Sequence, residues 1–353
     1  MQQDPKQLKS EEKNMMLAMV IIIVVLMLFQ YLNPKKPQPE MDQPVVNSEK
    51  VEVVAQEKPI LPIAVTSKTD KTFSVENQFV KGSLFGDGSG MGNLVLSTYK
   101  ENLTPDSPEV RLLSDKYSFT VDWNVQGKNV PLTLQSGKKL TPETPLEFEA
   151  KSRDLSIKRI ITLDEHYMLT FRDEIQNTSN QNMTVSLMGK IARAQDEISE
   201  IRSVVHTGFV NLIDSKLQEN NYSKVEKESI TYQTKNTWVG ITDKYWQTIL
   251  IPEEGESVQI KNSLTNGFYE ASFAQENMSL MAGQTIVRTT RVFAGAKDLN
   301  LINDYMTLYE IPKFDLTIDF GWFYFLTKPF LYFLQWLYAL VGNMGVAILF
   351  FAT

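Results

Sequence analysis

No cysteine occurs among the 353 residues. Disulfides, thiolate nucleophiles and thiolate zinc sites are therefore excluded. Histidine is nearly absent as well, with two copies, which leaves little for an imidazole metal centre. The formal net charge is −7, and the body of the chain carries no block of like charge. Nucleic-acid readers show a basic patch and a positive balance, so no nucleic-acid partner is expected. Neither Gly-x-Ser-x-Gly nor His-Glu-x-x-His occurs. The densest glycine cluster, Gly86-Asp-Gly-Ser-Gly-Met-Gly92, lacks the Gly-Lys-Ser/Thr of a phosphate loop. It precedes Asn93–Tyr99, which reads as a strand, so a flexible hairpin turn is expected there.

Long apolar runs, by contrast, are present at both ends. Met15–Phe29 is uncharged and wholly apolar, and Gln30, Tyr31 and Leu32 extend it to residue 32. At 1.5 Å per residue this stretch reaches roughly 27 Å, about the thickness of a bilayer's hydrocarbon core. Lys13 closes one side, and Lys35 and Lys36 the other. No small-x-small cleavage site follows, so an uncleaved anchor is expected rather than a signal peptide. Residues 1–14 are then a cytoplasmic N-terminus, by the positive-inside rule. Pro34, Pro37, Pro39, Pro44 and Pro59 lie among Gln, Glu, Lys and Asn, and such composition predicts an extended, disordered linker over 33–59.

From 60 to about 295 the dominant period is two. In Tyr117-Ser-Phe-Thr-Val-Asp-Trp123 the residues Tyr117, Phe119, Val121 and Trp123 share one face, the mark of a half-buried strand. Similar runs lie at 146–150, 167–171, 183–187, 257–260, 268–273 and 285–293, with turn signals at 177–180, 252–255 and 265–267. Many short, punctuated strands predict a mainly β domain of the antiparallel sandwich or barrel kind. Short helices are expected at Val210–Asn220 and Leu299–Glu310.

Candidate chemistry inside this domain is sparse. His166 and His206, with a carboxylate, could in principle serve as acid and base on a sugar, but their spacing gives no support. Asp196, Glu197 and Glu200 read as a solvated face. No catalytic, metal or cofactor residue is assigned, and the chain is not expected to be an enzyme.

After Ile311-Pro-Lys-Phe314 the composition changes. Trp322, Tyr324, Tyr332, Trp336 and Tyr338 are interspersed with Phe and Leu, and Lys328 and Pro329 interrupt the run. Aromatic side chains with a polar handle concentrate where membrane meets water. An interfacial helix over 312–340 is therefore expected, lying along the surface rather than crossing. Gly342, Asn343 and Gly345 predict a turn, and the apolar residues behind them read as the start of a second membrane helix, 341–353, that is cut short.

The order anchor, β domain, aromatic segment, turn and apolar run resembles the YidC-type membrane protein insertases of Gram-negative bacteria. Asp319-Phe-Gly-Trp-Phe-Tyr-Phe-Leu-Thr-Lys-Pro-Phe330, continuing through Trp336 to Val341-Gly-Asn-Met-Gly345, is the most specific stretch. Trp238-Val-Gly-Ile-Thr-Asp-Lys-Tyr-Trp246 and Gly82-Ser-Leu-Phe-Gly86 add to it. The resemblance implies that 60–311 is a periplasmic β-supersandwich of the galactose-mutarotase kind, in a protein of the inner membrane. It implies partners as well: inner-membrane protein substrates, the Sec translocon and its accessory subunits, and the lipid bilayer. It implies an insertase that works without cofactor or metal, through a groove whose arginine binds substrate. No arginine follows Arg291, so this chain is expected to lack the groove. The alternative is a membrane-anchored periplasmic carbohydrate-binding or scaffold protein.

Overall fold

Alternation of apolar and polar residues at period two places one face of each segment against a partner, and here two antiparallel sheets meet on those faces. The computed structural model describes residues 71–104, 106–198, 205–318 and 324–352. The expected anchor at 15–32 and the linker at 33–59 lie outside the described residues.

Strands are numbered in chain order. The larger sheet runs β15 (Ile230–Lys235), β18 (Ser257–Thr265), β19 (Phe268–Gln275), β12 (Met183–Ala194), β5 (Tyr117–Val125), β3 (Gly90–Lys100), β2 (Val80–Phe85), β1 (Thr72–Glu76) and β8 (Lys139–Leu140). Three short strands join it: β20 (Met278–Leu280) on β12, β4 (Glu109–Leu113) on β3 and β6 (Lys128–Asn129) on β5. The second sheet runs β14 (Lys216–Asn220), β13 (Gly208–Ile213), β16 (Val239–Thr242), β17 (Trp246–Ile251), β21 (Thr285–Ala296), β11 (Met168–Asn177), β10 (Leu155–Leu163), β9 (Leu146–Lys151) and β7 (Thr133–Ser136). Only β1 and β8 pair in parallel among the described strands. The molecule is thus mainly β, and the strands read from the sequence are present.

The core lies between the sheets. Tyr117, Phe119, Val121 and Trp123 of β5 are all buried. Phe119 meets Phe171 of β11 edge-to-face at 6.2 Å, and Phe73 of β1 meets Phe148 of β9 at 5.7 Å. Such pairs add directional attraction to the burial of their area.

Two segments differ from the sequence reading. The helix expected at Val210–Asn220 is a hairpin made of β13 and β14. Ile213 pairs with Lys216, and the two residues between, Asp214 and Ser215, have φ of 49° and 63°. A two-residue turn of this hand matches the twist of the flanking strands, and tertiary pairing with β16 overrides the weak helical pattern. The glycine cluster does turn the chain between β2 and β3, but as a packed element instead of a flexible tip. Gly88, Ser89 and Gly90 are buried. A Cβ on Gly90 would lie 1.9 Å from the Phe119 carbonyl oxygen, so only glycine lets β3 approach β5 so closely.

Four α-helices occur among the described residues. α1 is Tyr222–Val225 and α2 is Leu299–Leu308. Asp298 caps α2, its carboxylate accepting from the Leu301 N–H at 3.0 Å. Leu299, Ile302 and Tyr305, at helical spacing, turn one face of α2 inward. α3 spans Tyr324–Val341 and α4 spans Met344–Ala352. No helix of the described residues is long and apolar enough to cross a membrane.

Candidate membrane-facing site

The route from the β domain to α3 is built on Trp238. Its indole is fully buried, and its Nε1–H donates to the Pro312 carbonyl oxygen at 3.0 Å. Phe314 packs edge-on against Trp238 and Phe293. The Gln247 amide donates to the Thr317 hydroxyl at 3.0 Å, and that hydroxyl donates to the Phe314 carbonyl oxygen at 2.8 Å. Residues 312–317, which the sequence reading assigned to the interfacial helix, are thereby held on the second sheet. Phe314 and Thr317 are committed to the core of the domain, and the described α-helix runs from Tyr324.

On α3, Phe330, Phe333, Trp336 and Leu340 are exposed. At 3.6 residues per turn these four fall within an arc of about 120°. Phe333 and Trp336 stack with centroids 5.7 Å apart. Trp336 leaves 60% and Tyr338 45% of its surface exposed, and Tyr338 points away from that arc. The helix is continuous through Lys328 and Pro329. Trp322 lies outside the described residues, as do the side chains of Tyr324, Lys328, Pro329 and Tyr332. Gly342 follows the helix with φ of 69°, its N–H donating to the Tyr338 carbonyl oxygen at 2.8 Å, the conformation that favours glycine behind a helix C-terminus. The Asn343 side chain accepts from the Val346 N–H at 3.2 Å and so caps α4. Gly345 lies in the first turn of α4. Met344, Val346, Ile348, Leu349 and Phe350 of that helix are exposed.

A cleft of about 700 Å³ opens where β3, the β16–β17 turn and the end of β21 meet, beside Ile318. Tyr99, Tyr245 and Trp246 wall it, and Lys100, Lys244, Lys297 and Glu101 supply its charge. Tyr99 and Trp246 touch edge-to-face at 4.9 Å. The turn carrying Lys244 and Tyr245 is fixed from both sides. Asp243 accepts from Arg193 of β12 at 2.8 Å, and the Tyr245 carbonyl oxygen accepts from the Lys297 N–H at 2.9 Å. Burial opposes the charge on the Arg193 guanidinium, but Asp243 overrides it and the net pKa moves up.

The two histidines are not brought together. His166 stacks on Phe79 at 4.6 Å, and its carbonyl oxygen accepts from Asn77. The carboxylate beside it, Asp164, accepts from the His166 and Met168 N–H groups and from the Tyr305 hydroxyl. His206 sits 3.1 Å from the Phe209 carbonyl oxygen at the start of β13. Four strand spacings separate β13 from β11 in the second sheet, roughly 19 Å. In the acidic group, Asp196 pairs with Lys116 at 2.6 Å and Glu197 accepts from Ser114; Glu200 lies outside the described residues. The cleft escaped the sequence reading because its walls come from six distant segments, Val110 and Val205 among them. The run Lys244-Tyr-Trp246 in a turn was the one local hint.

A family model described as the YidC periplasmic domain matches residues 72–333. Among curated proteins, the membrane protein insertase YidC of Agrobacterium fabrum is 33% identical over 295 residues, covering 78% of this chain and 49% of that protein. Its namesake in Brucella melitensis is 35% identical over 295 residues, 78% and 48% covered, and that of Rickettsia bellii 32% over 295 residues, 78% and 52% covered. The chain thus spans about half the length of the curated relatives it matches. Among solved structures, a galactose mutarotase related enzyme of Lactobacillus acidophilus aligns with a TM-score of 0.45 at 10% identity, covering 64% of this chain and 97% of that one. The match over most of the described β domain makes this chain a member of the YidC periplasmic domain family.

Proposed function

We propose that this chain supplies the periplasmic domain of a bacterial inner-membrane protein insertase, together with a helix that lies along the membrane surface. The observation that carries the reading is the match over 295 residues to proteins named as insertases, beside the family match over 72–333, which reaches past the domain into α3. Trp322, Tyr324, Lys328, Pro329, Tyr332, Trp336 and Tyr338 form the membrane-interface group, and Gly342, Asn343 and Gly345 turn the chain toward the bilayer. The exposed stripe of Phe330, Phe333, Trp336 and Leu340 enters the acyl boundary. An amphipathic aromatic helix gains there both by removing apolar area from water and by keeping polar tips hydrated. The domain contributes contacts and no chemistry of its own; its histidines and Asp164 are engaged in local structure. Inner-membrane protein substrates and the bilayer are its partners, and the Sec translocon with its accessory subunits is the assembly it joins.

The test is a chimera. The matching region of a relative's insertase is replaced by residues 72–341 of this chain in cells depleted of their own insertase. Growth is expected, and Phe333→Glu with Trp336→Glu is expected to abolish it at unchanged protein level. A chimera that reaches the membrane without supporting growth would overturn the reading, as would full growth with the double variant.

A further inference from the structure

The aromatic and basic cleft at Ile318 is not explained by an interfacial helix alone. Three lysines against one glutamate give its lining a charge of about +2 at neutral pH. Of two further carboxylates nearby, Asp243 is paired with Arg193, whereas Asp298, which accepts from the Leu301 N–H at the start of α2, keeps its charge and lowers the local balance to about +1. Lys100 and Lys244 are exposed, and among the described residues neither forms an ion pair. Lys244 lies over the ring of Tyr245 at 4.8 Å. Beside the cleft, the loop that follows Glu101 presents Leu103 fully exposed, and Tyr245 leaves more than half its surface in water. Lysines that can receive an anion, walls of tyrosine and tryptophan, and apolar tips at the rim are the chemistry of a lipid–water boundary.

Chain length brings this cleft near the bilayer. Ile318 lines it, and Tyr324 opens α3. Six residue steps span at most about 22 Å. If α3 lies along the surface, the cleft is within that distance of the headgroup layer, so a modest tilt of the domain closes the gap.

We propose that the cleft binds the phosphate of an anionic phospholipid headgroup, with Lys100, Lys244 and Lys297 around the phosphate and Leu103 and Tyr245 set into the bilayer surface. The proposal rests on the reading of α3 as a membrane-surface helix. It adds a second contact, which holds the β domain in one orientation above the membrane.

The chain has no cysteine, so a single introduced one carries a polarity-sensitive fluorophore without competition. The full chain is reconstituted in nanodiscs of phosphatidylcholine alone, or of phosphatidylcholine with phosphatidylglycerol, with the probe on Leu103→Cys or on Trp336→Cys. On Leu103→Cys the emission is expected to shift to the blue only with phosphatidylglycerol, and to return when Lys100→Gln, Lys244→Gln and Lys297→Gln are combined. On Trp336→Cys a blue-shifted emission is expected in both lipids and in the lysine variant. A Leu103→Cys probe that stays water-like while the Trp336→Cys probe is blue-shifted overturns the cleft proposal alone. Water-like emission from both overturns the membrane-surface reading and the cleft with it. A shift that survives the lysine substitutions, or one that inorganic phosphate reproduces in phosphatidylcholine discs, also overturns the proposal.

Discussion

Arg159 and Asp173 face each other as direct register partners across β10 and β11, two charges in inward-pointing rows that are apolar but for Asn177 at the end of β11. The guanidinium binds the carboxylate through both Nε and Nη2 at 2.7 Å, and both side chains are almost wholly buried. The remaining valences reach the opposite sheet. Asp173 accepts from the Trp123 indole at 2.8 Å, and Arg159 donates to the carbonyl oxygens of Val121 at 2.7 Å and of Gly88 at 3.0 Å. Burial opposes the charge on Arg159, but the adjacent Asp173 overrides it, so the net pKa moves up. This network links the two sheets through their middle.

Arg159→Met leaves the Asp173 carboxylate buried without a counter-ion, a situation that typically costs about 3–5 kcal/mol. Urea denaturation is expected to show a loss of that order. Combining it with Asp173→Leu is expected to cost less than the sum of the two single changes, since the stranded charge is gone.

Gly88→Ala meets two obstacles at once. The residue has φ of 67°, and an added Cβ would fall 2.8 Å from the Phe148 ring. Left-handed backbone for a non-glycine residue and overpacking of a core ring each cost about 1–3 kcal/mol. Thermal unfolding of the variant is expected several degrees below that of the native chain, while alanine at Gly127, where no atom lies within 4 Å, is expected to show only the backbone effect.

Asp122 supplies a pH signature. Its carboxyl is pushed up by burial, with Arg159 opposing. The folded state therefore holds that proton more tightly than the unfolded chain does, and its contribution to stability falls as pH rises from the ordinary value of 3.8 through the raised one. Asp122→Asn is expected to be more stable than the native chain at neutral pH, and the advantage is expected to vanish below that ordinary value. Denaturant midpoints measured across this range decide it; a constant difference would exclude Asp122 as the titrating group.

Trp238→Phe keeps an aromatic ring but removes the donor to Pro312 and fills less of the buried site than the indole does. The lost hydrogen bond alone costs about 1 kcal/mol, and it falls on the segment that carries the chain from the domain to α3. Limited proteolysis is expected to cut within 310–318 faster than in the native chain. Trp238→Ala, which opens a larger cavity, is expected to lose about 3–5 kcal/mol.

The sequence by itself determined what depends on local periodicity. Alternation in Tyr117–Trp123 and its counterparts specified strands and their buried faces, because the side-chain period of a strand is two wherever it sits. The helix after Asp298 and the aromatic composition of α3 were legible for the same reason, since cap chemistry and amphipathicity are written in neighbouring residues. Tertiary structure alone decided what depends on residues far apart in the chain. Asp214 and Ser215 became a hairpin turn only because β13 found β16. Arg159, a charge standing in the apolar row of Leu155–Leu163, can stay in the core because Asp173, Val121 and Gly88 converge on it and Trp123 completes the bonding of Asp173. The cleft likewise exists only where β3, the β16–β17 turn, β21 and Ile318 meet. Sheet order is set by the summed burial of both faces and not by any single strand, so such constellations come into being only with the fold.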